Sequence, residues 1–371
     1  MSNGQPFWGS SKGAVLTGAV LGGVAALLVN LGNPPNMGIC VACFSRDTAG
    51  ALGLHRAAAV QYLRPELAGL VLGSLAAALI FKEFKPRTGS AGLLRFVLGI
   101  FAAIGALVFL GCPWRAFLRL GGGDANALFG ILGLIIGVAI GSACMKFGYG
   151  LGKSKPAPKA HGWVMPALAL AAVVLLVWNP QFGLDANKQP AGPIFQTPLD
   201  AKTPGALRAD WYLALGLAAL VGFLAQRSRF CTVGAIRNVI LIRDMHLLWG
   251  VVALVVANLA ANVGFSQFKW GMEGQPIAHT QTLWNILGMV LSGLAFTLAV
   301  GCPGRQFVLA GEGDSDAAIF CLGMLAGTAF AHNFSLASSK DGVSAFGPAA
   351  VIVGLLVCVI AGLSMREPQE G

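Results

Sequence analysis

A fourteen-residue motif occurs twice in this chain, each time at the end of a long apolar run. GCPWRAFLRLGGGD at 111–124 returns as GCPGRQFVLAGEGD at 301–314, with eight identical positions. A second pair of similar segments is ICVACFSRD and FCTVGAIRN, in which Cys40 and Cys231 match at an offset of 191 residues. Two segments that return in the same order at nearly one offset indicate an internal duplication of the whole chain.

The composition indicates an all-α polytopic membrane protein. Of 371 residues, 56% are hydrophobic and 11% are charged, with a mean hydropathy of +0.73, whereas soluble domains carry roughly 25% charged residues. Apolar runs of about 20 residues are long enough to span a bilayer as helices, and a transmembrane β-barrel would show short alternating segments. The net charge of +10 comes from scattered basic residues, which favours lipid contact over nucleic-acid binding.

The apolar runs predict about ten transmembrane helices. We expect them at 13–31, 59–81, 92–111, 125–148, 163–180, 209–227, 246–267, 283–301, 315–333 and 346–365. The first is predicted to be a retained span, because a basic region and a cleavage site before it are lacking. Four segments between the spans are too short to cross but too apolar for exposed loops, namely 39–53, 112–121, 229–243 and 302–311. They are predicted to be re-entrant half-helices; interfacial loops are the alternative.

The distribution of basic residues predicts the orientation. With five arginines of the half-helices left out (Arg46, Arg115, Arg119, Arg237 and Arg305), thirteen Lys and Arg fall on one side of the ten spans and seven on the other. The richer side, with both termini, is therefore expected to be cytoplasmic. Residues 1–180 form a first membrane repeat, 181–208 an extramembrane linker and 209–371 a second repeat. Five spans per repeat is an odd number, which predicts two inverted repeats with a site where the broken helices meet.

The repeated motif carries a thiol and a guanidinium. Proline is favoured at the first helical position, so G-C-P-x-R places Cys112 and Cys302 at helix N-caps, where the positive end of the helix favours a thiolate or an anion. Arg115 and Arg305 follow three residues later, on the same helical face. The same spacing separates Cys43 from Arg46. In the second half, the position three residues before Arg237 holds Gly234 instead of a cysteine.

Arginines at membrane depth are costly, at least about 2.5 kcal/mol each, and their repetition indicates an anion-attracting path. The alternative for each one is that it binds helix carbonyls or lipid headgroups. We therefore predict anion-attracting roles for four arginines, Arg46, Arg115, Arg237 and Arg305, and a substrate path along five cysteines, Cys40, Cys112, Cys302, Cys231 and Cys43.

Other features predict structure rather than chemistry. Cys321, Cys358 and Cys144 lack a functional repeat partner and are predicted to be packing residues. Asp124 and Asp314 are predicted to cap the following helices. The five histidines have no paired spacing, so we expect no metal site, and GGGD follows no strand and lacks the P-loop lysine, so we expect no nucleotide. No cofactor is predicted.

These residues resemble the YeeE/YedE membrane proteins over nearly the whole chain. The resemblance rests on two halves that each hold a cysteine-bearing short helix and a second Gly-Cys helix. It implies a bacterial inner-membrane transporter of thiosulfate-like sulfur compounds, in which the ion passes between cysteines through S–H···S hydrogen bonds. It implies Cys40, Cys112 and Cys302 as path residues, with Cys231 added by internal symmetry. The GCPxR…GxGD form looks like the YedE branch, which is associated with selenium metabolism.

We therefore predict an importer of a small sulfur- or selenium-containing anion and not an enzyme. Two alternatives stay open. One is a membrane thiol–disulfide oxidoreductase that uses Cys40 and Cys43. The other is a scaffold that hands sulfur or selenium to a soluble cytoplasmic carrier protein. Membrane lipid is the other expected partner, and no nucleic acid is expected.

Overall fold

The computed structural model describes residues 7–178 and 194–365, which are mainly helical. Ten long helices are α1 Ser11–Asn30, α3 Pro65–Ile80, α4 Gly92–Phe109, α6 Asn126–Lys146, α7 Lys159–Trp178, α8 Trp211–Ser228, α10 His246–Gly264, α11 Thr282–Leu298, α13 Ser315–Asn333 and α14 Gly347–Ser364. Four short helices are α2 Val41–Ala51, α5 Pro113–Gly121, α9 Thr232–Ile242 and α12 Pro303–Gly311. Within the described residues there are ten candidate membrane spans, so the predicted all-α polytopic membrane fold is confirmed.

The largest difference from the predicted boundaries is at the second span. The apolar run suggests a helix from residue 59, but α3 begins at Pro65, after a short turn at Ala58–Val60 and an extended stretch. Proline fixes the first helical position because it lacks an N–H group and restricts the residue before it. Hydropathy alone does not report this interruption.

The same local geometry starts two of the short helices. α4 ends at Leu110 in the left-handed region (φ 63°), and Cys112 then caps α5, which begins at Pro113. In the second half Val300 (φ 64°) and Cys302 take the same places before α12. The chain therefore turns sharply out of each long helix, and the short helix begins after three residues in the first half and four in the second.

The long helices pair across the two halves of the chain. α1 packs on α10 and α3 on α8, while α6 packs on α11, α4 on α13, and α4 on α11. A Cβ built on Gly18 would lie 1.8 Å from the carbonyl oxygen of Gly250, and one built on Gly73 would lie 1.9 Å from that of Ala219. The backbones meet this closely because these positions carry no side chain, as is common in membrane helix pairs.

Loops from each half hold the short helices of the other half. The Lys85 N–H donates to the carbonyl of Glu312 at 2.9 Å, and the Lys269 N–H donates to the carbonyl of Gly122 at 3.0 Å. The first of these loops also carries a strand, β1 Arg87–Thr88, which pairs antiparallel with β2 Lys155–Pro156. These two bonds occupy equivalent positions in the two halves of the chain.

The fifth long helix of each half lies outside this pairing. α7 packs on α3, α12 and α13, whereas α14 packs on α11, α4 and α6. Residues 179–193, which include most of the predicted linker, lie outside the described residues, as do 366–371. The described end of the linker, 194–208, is packed rather than fully exposed: Ile194 and Thr197 are buried, and the Phe195 N–H donates to the carbonyl of Ala51.

Candidate functional site

Four cysteines occupy the N-cap positions of the four short helices. The predicted N-cap positions of Cys112 and Cys302 are confirmed, and Cys40 and Cys231 cap α2 and α9 in the same way. Three of these thiols accept a hydrogen bond from the N–H three residues further on, at Cys43 (3.4 Å), Gly234 (3.2 Å) and Arg305 (3.4 Å). The sulfur atoms therefore stand where Ser, Thr, Asp or Asn usually cap a helix.

The first thiol pair joins Cys40 and Cys112. Their Sγ atoms lie 3.8 Å apart, and both residues are fully buried. This separation fits a thiol hydrogen bond, since a disulfide has a length of about 2.05 Å, and all eight cysteines of the chain are free. α2 and α5 thus begin at a shared pair of thiols.

The second thiol pair joins Cys231 and Cys302. The Cys302 N–H donates to Cys231 Sγ at 3.3 Å. Cys302 is fully buried, and Cys231 is 6% exposed. Each half of the chain therefore contributes one pair, formed by the starts of its own two short helices.

Arg115 lies beside the first pair and is fully buried. Its guanidinium donates to Cys43 Sγ at 3.6 Å, to the carbonyls of Asn36 (3.0 Å) and Ile277 (3.2 Å), and to the carbonyl of Leu110. The positive charge is therefore fixed next to the thiols, and carbonyl oxygens of both halves hold it there.

Arg305 lies beside the second pair, in a chain of ions that reaches the surface. It contacts Glu312 at 3.1 Å, and the same carboxylate accepts from Arg229 at 2.8 Å. Arg229 also pairs with Glu83 at 2.9 Å, and Glu83 pairs with Arg227 at 3.0 Å. Because the Arg229 side chain is 48% exposed, this network links the buried thiols to solvent.

The remaining two predicted arginines differ in their partners. Arg46 pairs with Asp47 at 2.7 Å, and Asp47 also binds Arg64 at 2.8 Å. The repeat counterpart of Asp47 is Asn238. Among the described residues, the hydrogen-bond partner of Arg237 is that amide, at 3.4 Å, rather than a carboxylate.

The predicted capping role is confirmed for Asp314, whereas the N-cap of α6 is Ala125 and Asp124 lies one residue before it. Asp314 caps α13 and accepts from the Ala317 N–H at 3.0 Å. Asp124 accepts from the Asn126 N–H at 2.9 Å and also forms a fully buried ion pair with Arg119 at 2.6 Å. Arg119 is therefore neutralised by Asp124, the last residue of the same motif.

The described residues contain no group of three or more His, Cys, Asp or Glu side chains able to hold a metal ion. An apolar cavity lies beneath α7, lined in part by Leu67, Met165, Phe307 and Cys321. The four N-cap cysteines are not among the described residues that line it, and we assign no substrate to it.

Sequence reasoning missed two residues near the thiol pairs. Trp114 is fully buried at the first turn of α5 and lies against its repeat counterpart, Gly304. Glu312, which pairs with Arg305, stands where the first half has Gly122. At both positions the two motifs differ strongly in size or charge, and that difference was the available signal.

The second half of the chain matches a known family. A family profile described as "Sulphur transport" matches residues 227–363. These residues hold the two short helices of the second thiol pair, α9 and α12, and the long helices α10, α11, α13 and nearly all of α14. This segment includes Cys231, Cys302, Arg305 and Glu312.

Two curated proteins are similar to parts of the chain. The thiosulfate transporter TsuA of Escherichia coli is 31% identical over 96 residues, 26% of this chain and 26% of that protein. An uncharacterized protein of Pseudomonas aeruginosa is 34% identical over 180 residues, 48% of this chain and 51% of that protein. The chain thus spans about a quarter and about half of the lengths of these two relatives. The chain is therefore similar in its second half to a sulphur-transport family, and over part of its length to these two proteins.

Proposed function

We propose that this protein imports a small sulfur-containing anion, thiosulfate-like or a selenium counterpart, across a bacterial inner membrane. The observation that carries the proposal is the presence of two buried thiol pairs, Cys40–Cys112 and Cys231–Cys302, at the N-termini of four short helices. The family profile and the similarity to a thiosulfate transporter support a transporter rather than an enzyme.

The environment of the thiols suits an anion that carries sulfur. Backbone N–H groups and the positive ends of four helices favour negative charge, and Arg115 and Arg305 add fixed positive charge beside each pair. Because both guanidinium groups are held by protein atoms, we expect them to act by their electrostatic potential more than by direct binding. A thiol is a weak donor and weak acceptor, which suits brief contacts with a sulfur atom.

The proposed route runs from Arg115 and the first thiol pair to the second pair and Arg305. The anion passes by non-covalent contacts, so the cysteines stay reduced. Arg46 and Arg237 are proposed to add positive potential, and Cys43 contributes its thiol beside Arg115. The ion network of Arg305, Glu312 and Arg229 then leads the anion to the surface.

We further propose that the halves form two inverted repeats with both termini in the cytoplasm. The pairing of the helices supports this arrangement. α8 is the repeat counterpart of α1, and α10 is the counterpart of α3, so the pair α1–α10 corresponds to the pair α8–α3, and both pairs are present. Loop contacts at Glu312 and Gly122 are exchanged in the same way. Short helices from both halves then meet between the two faces.

Uptake by cells tests the proposal directly. Cells that lack their own thiosulfate uptake should accumulate labelled thiosulfate when they express this protein, and parallel assays with selenite and sulfite define the substrate. Cys112→Ala and Cys302→Ala should each abolish uptake while the protein remains inserted. Cys358→Ala, a buried cysteine of α14 outside the site, is the matched control and should retain uptake.

Two results would contradict the proposal. If no labelled sulfur or selenium anion accumulates, the transport function is wrong. If the Cys112→Ala/Cys302→Ala double variant transports fully, the cysteine route is wrong. Dependence on Cys43 together with disulfide turnover would instead favour the oxidoreductase.

A further inference from the structure

Trp114 fills the space between the two cysteine-bearing motif helices. It follows Cys112 by two residues and is fully buried. A Cβ built on Gly304, two residues after Cys302, would lie 2.1 Å from Trp114 Cζ2 and 2.4 Å from Cε2. Because position 304 is the repeat counterpart of position 114, one indole occupies a space that has room for a single side chain.

A second neighbour of the indole, Phe230, lies next to a cysteine of the second thiol pair. The rings of Trp114 and Phe230 have centroids 6.5 Å apart, and Phe230 directly precedes Cys231. Trp114 is therefore two residues from a cysteine of the first pair and packs against residues one or two positions from the cysteines of the second pair. The indole thus lies between the cysteine-bearing starts of short helices from the two halves.

The indole N–H has no acceptor among the residues that the structure describes. Nε1 is bonded to Cε2, the atom that lies against Gly304, so the polar edge of the ring is near the first turn of α12. Buried Trp N–H groups usually have a hydrogen-bond partner. An oxygen of a passing anion would supply one.

We propose that Trp114 is both the barrier between the two thiol pairs and the hydrogen-bond donor that recognises an oxygen of the anion as it crosses. This inference rests on the proposed function and narrows the substrate class. The anion should carry an oxygen acceptor in addition to its sulfur or selenium atom, because a hydrosulfide ion offers the N–H only sulfur, a weak acceptor.

Purified protein in lipid vesicles tests the donor. Trp114→Phe keeps an aromatic ring and removes the N–H, and we expect initial uptake of labelled thiosulfate at low concentration to fall roughly tenfold or more, the effect of losing a hydrogen bond to a charged group. Trp163→Phe, in the partly exposed Trp of α7, is the matched control. Equal uptake by the two variants would overturn the donor role.

A leak assay tests the barrier without relying on the substrate. Vesicles with Trp114→Ala should become permeable to nitrate, whereas wild-type and Trp163→Ala vesicles should not. Gly304→Ala tests the same contact with the ring retained, since its methyl group must displace the indole, and it should lower thiosulfate uptake. No nitrate leak from monodisperse Trp114→Ala protein, or unchanged uptake by Gly304→Ala, would overturn the barrier. If wild-type vesicles take up no thiosulfate, the proposed function and the donor role fail together, while the nitrate assay still decides the barrier.

Discussion

The guanidinium of Arg305 lies 3.1 Å from the carboxylate of Glu312, two turns further along the same short helix. The equivalent Arg115 has no such neighbour, because the repeat holds Gly122 in place of the glutamate. Arg115 donates to backbone carbonyls instead. The two ends of the proposed route thus hold their arginines by different means, one with a surface-linked ion network and one with neutral oxygens.

Glu312→Gln should weaken both the fold and transport. The change removes the carboxylate shared by Arg305 and Arg229 and leaves the mostly buried Arg305 charge uncompensated, which is costly. We expect a lower thermal midpoint in detergent and slower thiosulfate uptake. Glu273→Gln, at an exposed position, is the control and should match wild type. An unchanged midpoint in Glu312→Gln would contradict the structural role of this network.

The sequence predicts the short helices well because their signals are local. Cys-Pro after a glycine defines the start of α5 and α12, and the second repeated segment, with Cys40 and Cys231 at matching positions, indicates α2 and α9. The partners of the arginines, by contrast, could not be predicted from local sequence. Arg46 has Asp47 beside it in the chain, but Arg64 reaches the same carboxylate from the start of α3, and Arg115 binds a carbonyl of Ile277. Such contacts depend on how distant helices pack.

The contact of Trp114 with Gly304 shows the same limit. Aligning the repeats identifies the two residues as counterparts, yet alignment does not reveal that they touch. That contact requires the two motif helices to meet at equivalent turns, which follows from the pairing of long helices around them. Glycine positions such as Gly18 indicate close packing in general, without naming the partner helix.

Asp47→Asn should destabilise the protein by about 3–5 kcal/mol, the usual cost of removing one partner from a buried ion pair. Asp47 is fully buried and holds both Arg46 and Arg64. The matched change in the second half, Asn238→Asp, should instead leave stability unchanged or raised and slow uptake, because it gives Arg237 a carboxylate. Chemical unfolding and uptake of both variants check this pair. Equal effects of the two changes would contradict the assigned difference between the halves.

Glu83 should make stability depend on pH in the acidic range. Burial opposes its ionisation, yet hydrogen bonds from Gln226 and Arg227 and the charge of Arg229 hold the pKa of Glu83 below its usual value. Its contribution is therefore present above the unfolded pKa of about 4.3 and lost as pH falls through the lower folded value. Thermal midpoints from pH 7 to pH 3 should converge for wild type and Glu83→Gln at the acidic end. A constant gap between them would contradict this linkage.

Gly18→Ala should impair assembly, whereas Gly23→Ala in the same helix should not. The added methyl group at position 18 would lie 1.8 Å from the carbonyl oxygen of Gly250, so α1 and α10 would have to separate. At Gly23 nothing lies within 4 Å of the new atom, and alanine favours the helix by roughly 0.5–1 kcal/mol. Yield of monodisperse protein in detergent compares the two. Similar yields would mean that this helix pair is less rigid than its contacts indicate.

Inverted repeats require that equivalent loops lie on opposite sides of the membrane. Lys155 lies in β2, which pairs with β1 of the loop between α3 and α4, and Lys269 lies in the equivalent loop of the second half, between α10 and α11. We predict Lys155 on the side with thirteen basic residues and Lys269 on the other side. Both are exposed, so single cysteines at these positions should react readily while the eight native cysteines remain buried. A membrane-impermeant maleimide should label Lys269→Cys in intact spheroplasts and Lys155→Cys only in inside-out vesicles. Labelling of both from one side would rule out the inverted arrangement, because three spans, α7, α8 and α10, separate these positions and an odd number must carry the chain across.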